Sequence, residues 1–296
     1  MQKISVFLFI FLISFTVFAQ TGSQNAQPVI NGIVEWDTQR INAQISMNLA
    51  ANGIRLPAGR TRAETLLQYA YVGLIRPNIM ALQVDSSSTI ADLIERGDLS
   101  FPEIDAFVLA GTSTAPALSP DMQYISDSHS LSISNISSSL LRHSRPAPAA
   151  RTLNPVSSAQ YTGIIIIAAE NLPVHGMRSS ALPIPCLFPK IWDSDMNIVY
   201  ERNMLETTAS AMVKYSAMQN IFQNNPSGLT GELQSIVGDR PLRLFARGVF
   251  GIKPTDLIID RSDALLIISS EENRRLLSQG RVVIILDDSV LRTEFN

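Results

Sequence analysis

The stretch YTGIIIIAAEN, residues 161–171, admits few folds. Its four consecutive isoleucines, Ile164 to Ile167, leave no polar side to turn toward water. A short apolar run of β-branched residues is a buried central strand. RVVIILDD (281–288) reads the same way. Between them, LFPKIWD and NIVYE form a hairpin, and RPLRLFARGVFG (240–251) and TDLIID (255–260) are further strands. A helix is expected over 205–222, with Leu205, Ala209, Met212, Met218 and Ile221 among its apolar positions. A second runs through SDALLIISSEENRRLL, capped by Asp260 or Ser262. Helices interleaved with hairpin-joined strands place the chain in the α+β class and not among doubly wound sheets.

The first half changes period twice. Ile41, Ala43, Ile45, Met47 and Leu49 alternate with Asn42, Gln44, Ser46 and Asn48, the signature of a half-buried strand. VINGIVEWD (29–37) precedes it as a partner strand. From 59 to 76, Ala63, Leu66, Leu67, Ala70 and Leu74 fall on one helical face. Thr61 and Glu64 make a capping box at its start, and Pro77 kinks or ends it. A shorter helix covers 89–97, closed by Gly97. From Ser100 to about Gln160 the chain is rich in Ser, Pro and Ala, consistent with an edge strand or two joined by long loops, or with a linker.

At the start, Lys3 precedes the apolar run 4–18, and Val17 and Ala19 fit a cleavage site before Gln20. That is the pattern of a secretory signal peptide, since about 20 apolar residues are needed to span a bilayer. The chain is therefore expected to be exported to the periplasm, with no transmembrane span in the mature form. No cysteine follows the apolar run, so a lipid anchor is not expected. The expected organisation is a signal peptide (1–19), a flexible lead (20–28), an N-terminal α+β region (29–141), a connector (142–160), a C-terminal module (161–288) and a tail (289–296). A net charge of −3 gives no electrostatic case for nucleic acid. Cys186 is the only cysteine and sits in LPIPCLFP, where it reads as a small buried hydrophobe.

Chemistry is harder to find. Asp193, Asp195 and Asn197 alternate as calcium ligands do, but an EF-hand loop needs glycine sixth and glutamate twelfth, where this chain has Ile198 and Met204. Asp and Asn between two β-branched runs are what a tight turn demands. There is no G-x-S-x-G elbow, and GTSTA (111–115) is the nearest approach. His129 and His143 lie in the serine- and proline-rich stretch and read as solvated surface; His175 lies in a loop after the buried strand. Arg274 and Arg275 read as the solvated side of the last helix. No catalytic, cofactor-binding or metal-binding constellation emerges, so a non-enzymatic protein is expected.

Several segments together resemble the flagellar assembly proteins P and T and the lipoprotein-20-like surface proteins. They are the strand at Tyr161, Thr162 and Gly163 and the hairpin residues Pro189, Ile191, Asp193, Val199 and Tyr200. Ala246–Gly248, Asp256–Ile259, Asp263 with Ala264, and Gly280, Val282, Val283 and Ile285 extend the likeness. So does the run Val34, Trp36, Asp37, Leu56 to Arg60, Ala63 and Glu64. The resemblance implies mixed-sheet modules of strand-helix-strand-strand type with helices packed on one face. It further implies a homo-oligomeric structural protein that docks with flagellar or other envelope proteins as a ring or collar component. Two departures stand out: AAENLPVHG replaces an acidic-glycine turn, and the lipid-modified cysteine of many relatives is missing, which leaves outer-membrane association without an anchor. The alternative is a periplasmic module binding a small ligand or an envelope polymer through His175 and Arg178.

Overall fold

A computed structural model describes residues 26–206 and 213–296. The expected signal peptide lies outside the described residues. The first part of the chain runs β1 (Val29–Glu35), β2 (Arg40–Asn48), α1 (Arg60–Met80), α2 (Ile90–Glu95) and α3 (Phe101–Leu109). Short strands β3 (Thr112–Ser113) and β4 (Ala117–Leu118), the long β5 (Tyr124–Ser132) and α4 (Ile133–Leu140) follow. The second part contains β6 (Ile164–Ile167), β7 (Leu172–Pro173), β8 (Ser180–Ala181), β9 (Ile191–Asp193), β10 (Ile198–Tyr200), β11 (Lys214–Ala217) and α5 (Gly231–Val237). It continues with β12 (Leu242–Phe250), β13 (Asp256–Ile259), α6 (Arg261–Ile268), α7 (Glu271–Ser278), β14 (Val282–Leu286), α8 (Asp288–Leu291) and β15 (Arg292–Phe295). The chain is α+β.

Two main sheets carry the fold. The first is antiparallel in the order β15-β1-β2-β5-β3, with β4 also on β5. The alternation in β2 buries Ile41, Ala43, Ile45 and Met47 against α1, whose Ala63, Leu67, Tyr71, Ile75 and Ile79 recur every four residues on its buried side. A bidentate pair, Arg76 Nε and Nη2 to Asp105 at 2.8 Å each, ties α1 to α3. The second sheet is mixed, in the order β10-β9-β13-β12-β6-β14-β11. β6 pairs in parallel with both β12 and β14, so its isoleucines are buried on both sides. Ile164 and Ile166 join the main core with Leu276 and Leu277 of α7; Ile165 and Ile167 form a smaller core with Leu233 and Val237 of α5. Helices therefore cover both faces of this sheet. Among the described residues no helix is long and apolar enough to cross a membrane.

Several expectations change. α1 passes through Pro77 to Met80, because Ile75 and Ile79 on either side are fully buried and the Ala81 amide still reaches the Pro77 carbonyl at 3.0 Å. Its N-cap is Gly59, and Glu64 pairs with Arg60 at 2.9 Å in place of the expected capping box with Thr61. Where a helix was expected over 205–222, the described residues from 213 onward are not helical: Lys214–Ala217 is a strand parallel to β14, followed by a 3-10 turn at Met218–Ile221. Positions 207–212 of that expectation lie outside the described residues. Within 100–141 stand two helices and the nine-residue β5, which is interior and not an edge. The long helix expected after Asp260 breaks into α6 and α7, where the Ser270 side chain accepts from the Asn273 amide and starts a new helix. The expected tail instead forms α8 and β15, and β15 completes the first sheet by pairing with β1.

The connector 142–160 lies against the second part. The Ala147 amide donates to Asn203 O at 2.7 Å, the Ser158 hydroxyl to Leu266 O at 2.7 Å, and the Tyr161 amide to Asn273 Oδ1 at 3.1 Å. Asn273, 1% exposed, returns donors to Ser158 Oγ and to the carbonyls of Ala159 and Leu266. The α1–α2 loop joins the two parts through backbone bonds from Leu187 and Phe188 to Gln83 and Val84, and from Lys253 to Ser86.

Candidate functional site

The first sheet has helices on one side only, and the register fixes what its other side presents. Asn42 stands opposite Ser130, Gln44 opposite Asn31 and Ser128, and Ser46 opposite Ser126. Residues directly opposite in an antiparallel pair share a face, so hydroxyl and amide groups run across β2 and β5 and reach Asn31 of β1, where Val29 and Ile33 flank it on the same face. The face is internally ordered. Ser130 Oγ donates to Asn42 Oδ1 at 2.7 Å, Asn42 Nδ2 to Glu35 Oε2 at 2.8 Å, and Arg40 Nη1 to Ser130 Oγ at 3.1 Å. A shallow groove of about 410 Å³ crosses it, bounded by Asn31, Asn42, Gln44, Thr112, Ser128 and Ser130. Charge gathers toward one end of the face, where Arg292 meets Glu35 and Asp37 and Arg40 stands opposite Glu35, with Glu294 of β15 opposite Ile33.

The inner side of β5 holds the main correction at the level of side chains. His129 was expected in solvent and is 9% exposed, stacked on Tyr71 with ring centroids 3.3 Å apart. Its Nε2 faces Asp127 Oδ2 at 3.2 Å, and Thr114 Oγ1 donates to the other Asp127 oxygen at 3.1 Å. Nucleophilic catalysis needs the hydroxyl on the imidazole and the carboxylate behind it. Here the carboxylate sits between them, which makes a structural clasp holding β5 to the β3–β4 segment.

Burial holds the His129 imidazole below its ordinary value, against the opposing pull of the Asp127 carboxylate. In the unfolded chain a histidine takes up its proton at about pH 6.5. Stability gained by keeping His129 neutral is therefore complete above that point and is lost as the pH falls toward the depressed folded value. Melting temperature should drop between about pH 7 and about pH 5, and the drop should be shallower in His129→Gln, which keeps a donor for Asp127. Parallel pH profiles for the two proteins would refute this assignment.

Asp193, Asp195 and Asn197 make the β9–β10 turn. Asp193 Oδ1 accepts from the amides of Asp195 and Asn197 at 3.0 and 2.8 Å, and Oδ2 pairs with Arg261 at the start of α6. Burial pushes the Asp193 carboxyl up, but the Asn197 and Arg261 hydrogen bonds outweigh it and hold it below the usual range. Among the described residues, no group of three or more His, Cys, Asp or Glu side chains is placed to hold a metal. Asp256 is a third buried acid, and burial raises its carboxyl despite donors from the Lys190 amide, Trp192 Nε1 and Ser86 Oγ. Ser86 belongs to the α1–α2 loop, so this acid pins the two parts together.

The remaining residues fall apart in space. Cys186 is buried, with burial pushing its thiol up, and its backbone exchanges hydrogen bonds with the Tyr215 hydroxyl. His143 Nε2 meets Leu205 O at 2.7 Å on the connector. His175 is exposed with its ring centroid 5.9 Å from that of Phe250, and Arg178 is exposed on the same β7–β8 loop. Arg274 Nη1 donates to Ile268 O at 2.6 Å and bridges α7 to α6, while Arg275 is exposed. In GTSTA, Thr114 alone meets a buried acid.

Residues 27–139 match the family model for the N-terminal domain of Treponema pallidum Tp0624. Residues 163–288 match the model for the second domain of the same protein. The two matches are thus similar to two domains of one protein, in the order in which that protein's domains are named. No curated protein matches the chain. Neither family description names the flagellar or lipoprotein-20-like proteins.

Proposed function

We propose that this chain is a non-enzymatic, exported structural protein of the cell envelope that assembles with its own copies or docks on envelope proteins. The flagellar motor, as a ring or collar component, is the setting the sequence resemblance favours. The observation that carries the reading is the uncovered face of the first sheet. Its Asn31, Asn42, Gln44, Ser126, Ser128 and Ser130 offer hydrogen bonds without charge, and interface centres are depleted of charged residues because burying them costs desolvation. The buried titratable groups support it from the other side. Asp127, Asp193 and Asp256 are each engaged by fold-holding partners and not by a reacting group.

The test is sedimentation velocity of the mature chain at rising concentration, with Gln44→Arg/Ser128→Arg as the comparison. The wild type should show concentration-dependent assembly that the double variant lacks at an unchanged melting temperature. Motors imaged by cryo-tomography in a deletion strain should then lack a ring or collar density. A chain that stays monomeric, together with an intact motor, would overturn the proposal.

A further inference from the structure

A half-open cavity of about 400 Å³ lies where the first sheet, the end of α1 and the segment before Cys186 meet. Its apolar walls include Val34 and Trp36 from β1 and the residue following it, Leu82, Ile184, Pro185 and Phe295. Ligand sites favour such junctions, and sites of a few hundred Å³ with apolar walls and few polar groups are typical. Asn78, Gln83, Ser289 and Thr293 add uncharged polar groups to the lining, and none of the lining residues is Asp, Glu, Lys, Arg or His.

Trp36 supplies the specific feature. Its side chain is 6% exposed, and no hydrogen bond joins its indole Nε1 to another described residue. Buried indoles normally find an acceptor, since the ring N–H can only donate. Among the described residues, the one fully enclosed side-chain nitrogen or oxygen without a partner is Asn48 Nδ2. Trp36 lines this cavity, and its Nε1 is not among the fully enclosed atoms without a partner. The ring is held in place: it stands edge-on to Tyr215 at 5.9 Å and 83°. Tyr215 is fixed in turn by the Cys186 backbone at 2.9 and 3.1 Å. The donor is thus positioned before any ligand arrives.

We propose that this cavity binds one acyl chain of an uncharged ester lipid, with the ester carbonyl accepting from Trp36 Nε1. Apolar walls take the chain, the indole takes one oxygen, and a wall without a cation gives no counter-charge to a free carboxylate. This inference is independent of the assembly reading, since the cavity lies on the inner side of the first sheet.

The experiment is calorimetric titration of the mature chain with monomyristoylglycerol below its micellar concentration, with myristate as the charged comparison. Saturable binding of the ester at one site per chain is expected, with myristate at least about tenfold weaker. Trp36→Phe keeps the apolar wall and removes the donor, and should weaken the ester about tenfold. Ala81→Trp fills the cavity from its exposed lip and should abolish binding at an unchanged melting temperature, so the test stands even if Trp36→Phe folds poorly. No saturable binding by the wild type would overturn the proposal, as would equal affinity for myristate. Binding untouched by Ala81→Trp would place the lipid elsewhere and overturn it too.

Discussion

Gly163→Ala will destabilise the protein by about 2–3 kcal/mol, near the top of the range for overpacking a well-filled core. A methyl on Gly163 would stand 2.4 Å from Val237 Cα, 2.5 Å from its Cβ and 2.6 Å from its carbonyl oxygen. Backbone atoms cannot swing aside as a long side chain does. The end of α5 is also tied to this point, since Thr162 Oγ1 donates to Val237 O at 2.7 Å and accepts from the Arg240 amide at 3.0 Å. Relief would require lifting α5 off Ile165 and Val283 and opening the smaller core. Urea unfolding should show a lower midpoint with an unchanged slope. A midpoint equal to that of the wild type would mean that α5 retreats freely, and the account of this contact would be wrong.

Asn273→Leu should cost about 3 kcal/mol, although the two side chains have the same number of non-hydrogen atoms. The loss is one of partners, since no atoms are removed. Without Asn273, the Tyr161 amide, the Ser158 hydroxyl and the carbonyls of Ala159 and Leu266 lose hydrogen bonds at a site 1% exposed. A buried group left unsatisfied carries a penalty of about 1–3 kcal/mol; here the partners are half-buried or exposed and can be hydrated, which keeps the total well below the sum over all four. The segment's detachment is separately measurable. Limited trypsin digestion should cut faster after the exposed Arg151 in the variant than in the wild type. Equal rates of cutting would show that Asn273 does not hold the connector.

Local signals served best where a residue's neighbours along the chain also decided its environment. β2 was legible because its inner and outer sets alternate cleanly, and β6 because four isoleucines admit no other reading. The hairpin at Asp193 followed from turn chemistry alone. β5 was obscured because its inner side carries Asp127 and His129 between Ile125 and Leu131, so the apolar alternation is interrupted by the polar clasp. α3 did announce itself in Ser100 and Glu103, which form the capping box, but the surrounding serine and proline drowned that signal. The span 214–217 has helix-compatible spacing, and only its parallel pairing with β14, far along the chain, makes it a strand. The candidate face was half visible as Asn42, Gln44 and Ser46; Ser126, Ser128 and Ser130 joined it only through register. Nothing in the sequence marks the Trp36 indole as lacking a partner, because that depends on Tyr215 and on where the chain leaves space.

The pairing of β15 with β1 has a consequence for how the molecule comes into being. Arg292 reaches Asp37 across 255 residues, so the first sheet cannot gain its outer strand until nearly all of the second part has been synthesised. Until then β1 presents an open row of backbone donors and acceptors, the kind of edge that recruits foreign strands. A protein made from its N-terminus onward must therefore keep its earliest module unfinished through the folding of its later one. Cutting the gene between the two matched segments would yield not two clean domains but one with an exposed seam and another carrying an orphaned strand.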